Sequence, residues 1–392
     1  MKKMLWAILM MSCGPTFISS LLPLYQEHYK LSSLELTLLF AVYAAFLLPT
    51  LLIVGAKGSE WGLKRVLRVS IWISIASTLF FLGSTDVWML YAARILEGIA
   101  YGAFTGTASA FLLKQASSDK LGTAIKLSGV TVNMAFGLGP AIAGLAAQYV
   151  DLAPLRLPFW ILLVMLLSAW FVLERLPSRI DPQAPKPAKT KISLGVPSTI
   201  RSHFLSFIGL PIFMVFTLGG IVFSLLPSVV KNVIHTSNLS VSGLLILVLL
   251  GGGALAQFLP WPRNPVTRLR VAILLLILGS WITVIAGQTE SLLLLWTGII
   301  VQAFGAGWTF QVALRFASQL PKPEERPRVI TAFYFSAYTG FIVPVVGVGV
   351  LTQFFNLHSS LVILNVFGSL VVIYMLLYSI RFSRYYSKLT AK

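Results

Sequence analysis

Charge is what this 392-residue chain has least of: only 11% of its residues are Asp, Glu, Lys or Arg, and 12 acids face 30 basic residues. With 57% hydrophobic residues and a mean hydropathy of +0.86, the surface cannot be solvated by water, so a soluble globular fold is excluded and lipid must be its main solvent. The formal net charge of +18 does not mark a nucleic-acid binder. The basic residues sit in short tracts between apolar runs, the pattern that orients membrane proteins. A single cysteine, Cys13, excludes an internal disulfide. The four histidines, His28, His203, His235 and His358, lie far apart and without cysteine neighbours, which argues against a metal site or a histidine-based active site. A glycine-rich phosphate loop ending in lysine and serine or threonine is also missing, which argues against direct ATP hydrolysis. No cofactor is expected.

What the chain has in abundance is long apolar runs. A membrane span needs about 20 such residues, and twelve segments qualify: 4–25, 36–56, 66–84, 87–113, 121–149, 156–174, 204–229, 239–260, 270–287, 291–316, 327–355 and 359–380. The first run resembles a signal peptide or a lipoprotein signal ending near Ser12-Cys13-Gly14. It continues through Phe17, Leu21 and Leu24, however, and bulky methionines precede Cys13 where such a signal wants small residues. It is therefore read as a span, and the expected fold is an all-α membrane protein of twelve transmembrane helices.

Basic residues alternate cleanly between the two sides implied by these spans. The termini and even-numbered loops hold 26 of the 30, the odd-numbered loops hold Lys30, Arg156 and Lys231, and Arg94 lies within a span. The positive-inside rule then places both termini in the cytoplasm. The longest connection, 176–203, carries Pro177, Pro182, Pro185, Pro187 and Pro197 with Lys186, Lys189 and Lys191, and reads as a semi-rigid cytoplasmic linker. It divides the chain into an N-terminal half, 1–175, and a C-terminal half, 204–392, of six spans each. The halves repeat one another: 95–102 aligns with 300–307 at a spacing of 205, and Asp86 and Pro140 align with Glu290 and Pro344 at 204. Parallel six-helix repeats put a substrate site at their interface near mid-bilayer.

Arg94 and Glu97 are the ionisable residues placed deep in a span, where a charge costs about 2.5–3.5 kcal/mol on insertion scales. Three residues apart, they share a helix face and can pair or turn together to an aqueous cavity. One reading makes Glu97 a proton carrier, with burial favouring its neutral form and Arg94 its charged form; the other makes the two a permanent ion pair that fixes packing. Gly98, Gly102 and Gly106 on the same span form a small-residue row that lets backbones approach closely. In the fifth span Pro140, between Gly139 and Gly144, frees a backbone carbonyl and bends the helix, as a hinge or a static kink. Between the second and third spans lies a charged turn, Gly55 to Arg65.

Together these segments resemble the Major Facilitator Superfamily, specifically its twelve-helix proton-linked drug exporters. Arg94-Ile95-Leu96-Glu97-Gly98 is similar to the family's fourth-helix motif, with glutamate in place of the usual glutamine, and Gly139-Pro140 with Gly144 is similar to the fifth-helix signature of its exporters. Gly55, Gly62, Lys64 and Arg65 fall where the family's gating motif wants them, while Ser59 stands at its aspartate position and Glu60 at its arginine. The first span has no acid before Glu27, whereas the family commonly has one. The resemblance implies alternating access, export of a small amphipathic molecule against inward proton flow, and coupling through Arg94 and Glu97. It implies a cavity lined by Tyr101, Asn133, Phe136, Phe213, Gln302, Trp308, Tyr334 and Tyr338, and gating or hinge roles for Gly55, Glu60, Gly62, Lys64, Arg65, Gly139, Pro140 and Gly144. The expected partners are substrate, protons and the bilayer of a bacterial inner membrane, with no nucleic acid, and the expected state is a monomer. The alternatives are a dedicated exporter of a siderophore or metallophore, sugar or lipid precursor, an importer, or a membrane-embedded transferase. An enzyme is not expected, because acids cluster only at Glu324 and Glu325.

Overall fold

The computed structural model describes residues 1–115, 121–150, 153–177, 195–232, 238–259 and 261–390. It is helical throughout, with 88% helix. The helices are α1 (Lys2–Phe17), α2 (Leu22–Tyr29), α3 (Ser33–Trp61), α4 (Leu63–Leu82), α5 (Val87–Gln115), α6 (Leu121–Tyr149) and α7 (Leu157–Glu174). They continue as α8 (Arg201–Phe204), α9 (Leu210–Ser224), α10 (Leu226–Asn232), α11 (Leu239–Ala256), α12 (Pro265–Gln288), α13 (Leu292–Gln319), α14 (Arg326–Leu351) and α15 (Leu357–Thr390).

Among the described residues, eleven helical stretches are long and apolar enough to cross a membrane. The twelfth expected span is α5, 29 residues long, which is kept from that hydropathy by Arg94 and Glu97. Two spans are less regular than their composition suggests. Ile18–Leu21 is a 3-10 turn between α1 and α2: Pro23 has no N–H for the Ser19 carbonyl, which instead accepts from the Leu22 amide one residue earlier. The seventh span is interrupted by a π-type turn at Leu205–Gly209, ahead of Pro211, and again between α9 and α10, ahead of Pro227. The final helix runs to Thr390, about ten residues past its expected end.

The chain separates into two compact units. Unit 1 comprises Met1–Ser32, Leu38–Ile192 and Asn238–Leu247; unit 2 comprises Ser33–Thr37, Ser193–Ser237 and Val248–Lys392. The 176–203 linker lies outside the described residues over 178–194. Its far end does join a core, because Val196 and Ile200 are buried against unit 2 with Phe204, Phe207, Phe316 and Phe382.

Small residues set the helix spacing in both units. In unit 1, a Cβ at Gly98 or Gly102 would collide with the α3 carbonyls of Tyr43 and Leu47. In unit 2, a Cβ at Gly307 would collide with the Gly253 carbonyl of α11. The small-residue row is thus a packing device, as the spacing predicts.

The prolines of the fifth span in each half, Pro140 in α6 and Pro344 in α14, lie inside their helices. A proline withholds its N–H from the carbonyl four residues earlier, here Phe136 and Gly340. Thr16 Oγ1 donates to the Phe136 carbonyl at 2.7 Å, and Thr217 Oγ1 donates to the Gly340 carbonyl at 3.0 Å. Beside each freed carbonyl, a glycine admits the neighbouring helix: a Cβ at Gly139 would meet the Cys13 carbonyl, and one at Gly340 the Phe213 carbonyl. The repeat seen in the spacing of the sequence is therefore a repeat of backbone chemistry.

Candidate functional site

Arg94 and Glu97 meet inside unit 1. Arg94 is 0% exposed and Glu97 4%, and Arg94 Nη1 donates to Glu97 Oε2 at 2.8 Å. The same Nη1 donates to the Pro15 carbonyl at 2.9 Å, and Nε donates to the Leu39 carbonyl at 3.1 Å. The guanidinium lies over the rings of Phe40 and Tyr43, 4.8 and 4.4 Å from their centroids, so cation–π attraction replaces part of its lost hydration. Nη2 has no hydrogen-bond partner among the described residues. On the other side, Glu97 Oε1 occupies a notch in α1 at Gly14, where a Cβ would stand 2.9 Å from it. One arginine thereby ties α1, α3 and α5 together through a carboxylate whose protonation changes its main hydrogen bond. That arrangement can carry a proton or lock three helices, depending on whether Glu97 exchanges its proton.

The other cavity candidates fall within their own units. In unit 1, Tyr101 is buried one turn below Glu97; its hydroxyl shares a 3.2 Å hydrogen bond with Ser12, and its ring packs edge-on against Phe136 at 5.3 Å. Asn133 is half-buried and returns its amide to the Gly129 carbonyl at 2.9 Å. In unit 2, Phe213 is half-buried against Gly340 through its carbonyl. Trp308 is a core residue, its indole N–H donating to the Ala256 carbonyl at 2.7 Å. Tyr334 packs against the unit 2 core, Tyr338 meets Phe216 edge-on at 5.5 Å, and Gln302 is 2% exposed on the wall of a cavity inside this unit.

The charged turn places Gly55, Glu60, Gly62 and Arg65 at the surface. Gly62 has φ +86, a left-handed conformation that suits glycine and lets α3 end and α4 begin within one residue. Lys64 Nζ donates to the carbonyls of Glu174 and Leu176, at 3.0 and 2.6 Å, capping the end of α7. Glu174 completes the cluster by accepting two hydrogen bonds from Arg68, at 2.5 and 2.8 Å. Glu174 and Arg68 were not among the residues singled out by sequence, since 106 positions separate them; Glu60 makes no ion pair among the described residues. At the fifth-span signature, Pro140 accepts from Ser20 Oγ at 2.8 Å through its carbonyl, and Gly139 and Gly144 are close-approach positions against α1 and the start of α11. Ser12, Thr16 and Ser20 thus form a hydroxyl ladder, spaced by four, that sequence reading passed over as apolar filler.

This is the architecture of a multi-pass helical membrane protein, two units each with a proline inside a helix whose freed carbonyl accepts from a threonine. The chain belongs to the Major Facilitator Superfamily, whose model matches residues 4–343. Among solved structures, a bacterial homologue of the human lysosomal transporter Spinster is similar at TM-score 0.76 and 16% identity, covering 97% of this chain and 96% of that one. The nucleoside transporter NupG gives 0.75 and 12% identity over 95% and 98%, and the peptide transporter POT bound to alafosfalin 0.75 and 12% over 97% and 94%. At such identities the likeness is one of fold. An uncharacterised MFS-type transporter of Methanocaldococcus jannaschii is 24% identical over 147 residues, 38% of this chain; the match spans 37% of that relative.

Proposed function

We propose that this protein is a proton-coupled exporter, an antiporter that moves a small amphipathic molecule outward by alternating access. The observation that carries this reading is the buried Arg94–Glu97 pair, 2.8 Å apart and sealed from solvent. A buried ionisable pair is expensive and marks function by default in membranes, and protonation of Glu97 would weaken its hold on Arg94, whose other hydrogen bonds among the described residues go to backbone carbonyls. The halves 1–175 and 204–392 rock as pseudo-symmetric bundles joined by the 176–203 linker, with both termini in the cytoplasm of a bacterial cell and the monomer as working unit. Tyr101, Asn133, Phe136, Phe213, Gln302, Trp308, Tyr334 and Tyr338 serve the substrate path. Gly55, Glu60, Gly62, Lys64 and Arg65 serve the cytoplasmic gate, and Gly139, Pro140 and Gly144 the hinge.

The test uses energised everted vesicles, adding lipophilic cations, neutral antibiotics and metallophores in turn to the wild type and to Glu97→Gln. The reading expects at least one compound to dissipate the proton gradient with the wild type and none to do so with a normally inserted Glu97→Gln variant. Equal responses from both would make the pair structural, and no response from either would favour a dedicated metabolite or uptake.

A further inference from the structure

Unit 2 contains a cavity with about 50 Å³ of enclosed space, open on one side, bounded by α9, α10, α12, α13 and the first turns of α15. Its walls are aliphatic, with Leu218, Val284 and Leu361 prominent, and Gln302, Asn365 and His358 supply polar atoms. Asn365 is 2% exposed; its amide N–H donates to the Leu361 carbonyl at 2.9 Å, but its Oδ1 has no partner among the described residues. His358 Nε2 is likewise buried without one. Gln302, also 2% exposed, lines the same cavity. Buried polar atoms normally have a hydrogen-bond partner, so the convergence of two unpartnered ones, Asn365 Oδ1 and His358 Nε2, on one cavity points to a ligand there.

Unit 1 shows what filling the same helix trio takes. There α1, α4 and α7 are sealed by three rings: Phe17 and Phe81 both pack on Phe159, at 5.8 and 4.6 Å between centroids. Phe17 follows the clamp residue Thr16 just as Leu218 follows Thr217, and no ring from α9, α12 or α15 occupies the cavity wall at these positions in unit 2. The cavity is therefore a departure, at this helix trio, from the ring packing of unit 1.

We propose that this cavity is a binding site for a neutral, single-chain lipophilic molecule bearing a hydroxyl or amide. The ligand donates a hydrogen bond to Asn365 Oδ1 and exchanges hydrogen bonds with Gln302 and His358, while its chain lies against Leu218, Val284 and Leu361. Neither a carboxylate nor an ammonium group lines the wall, which disfavours a permanently charged ligand. The site lies inside one bundle, so it stands whether or not the proton-coupled reading holds.

The probe is an octanol carrying a photoreactive diazirine, added to the purified full-length protein in phosphatidylcholine nanodiscs and mapped by peptide mass spectrometry. Saturable labelling of peptides covering 218–229, 280–287 or 357–365, competed by plain octanol, is expected. Val284→Phe should fill the space and cut that labelling about tenfold, and Asn365→Leu should weaken apparent affinity about three- to tenfold, the worth of one hydrogen bond. Leu361→Phe replaces Val284→Phe if the latter does not fold by its melting curve, and Asn365→Leu decides alone if neither does. Labelling that rises linearly with dose, or that these variants leave unchanged, overturns the site. Equal competition by diacylglycerol overturns the single-chain assignment.

Discussion

Two helices at equivalent places, α5 in unit 1 and α13 in unit 2, share a backbone plan and differ in chemistry. Both pack a glycine on the carbonyl of a neighbouring helix, Gly102 on Leu47 and Gly307 on Gly253. At a spacing of 205, Glu97 of α5 corresponds to Gln302 of α13. In unit 1 that position is ionisable, paired and enclosed; in unit 2 it is a neutral amide that lines a cavity. A duplicated scaffold can thus keep its backbone contacts in both copies while concentrating ionisable chemistry in one. That asymmetry is what a transporter needs if one bundle handles the coupling ion.

The sharpest break in the comparison is removal of one charge. Arg94→Leu strands a buried carboxylate and should lower stability by about 3–5 kcal/mol, whereas Gln302→Leu, which strands no charge, should stay within about 1 kcal/mol; denaturant unfolding in detergent reads both. The double variant Arg94→Leu/Glu97→Leu should recover most of that loss, because a buried pair is often no more stabilising than well-packed apolar residues. It should nonetheless fail in proton-linked transport, and a double variant that transports normally would strip the pair of its role.

The shared part of the plan should respond alike in both units. Gly102→Ala and Gly307→Ala each push a methyl group into a backbone carbonyl and should each cost about 1–3 kcal/mol. Gly55→Ala meets nothing within 4 Å and should change melting little. A smaller effect than at Gly102 and Gly307 is expected at the clamps: Thr16→Val and Thr217→Val, which leave the freed carbonyls of Phe136 and Gly340 bare, should cost about 0.6 kcal/mol each, the average for hydrogen bonds between membrane helices. Unequal losses at the two threonines, measured by the same unfolding curves, would show that the repeat is geometric without being energetic.

Much of the fold was legible in the sequence because its rules are local. Length and hydropathy marked the spans, and a three-residue spacing put Arg94 beside Glu97. A row of glycines announced a close contact but not its partner. What stayed illegible depends on which helices meet. The carbonyls of Pro15 and Leu39 that hold Arg94 carry no side-chain signal, and Glu174 reaches Arg68 and Lys64 only because α7 packs on α4. The proline positions did imply freed carbonyls at Phe136 and Gly340, yet the threonines that satisfy them are 120 and 123 residues away. The cavity of unit 2 arises from absent ring volume, which becomes visible only when the Phe17, Phe81 and Phe159 cluster of unit 1 is set beside it.

The most direct test of the coupling claim is pH-difference infrared spectroscopy of the purified protein in bilayers, which needs no knowledge of the substrate. Lowering the pH across the working range should bring up a carboxylic-acid carbonyl band in the wild type that is missing from Glu97→Gln. A band unchanged in that variant, or no band at all, would mean that Glu97 keeps its charge and serves only to hold Arg94 in place.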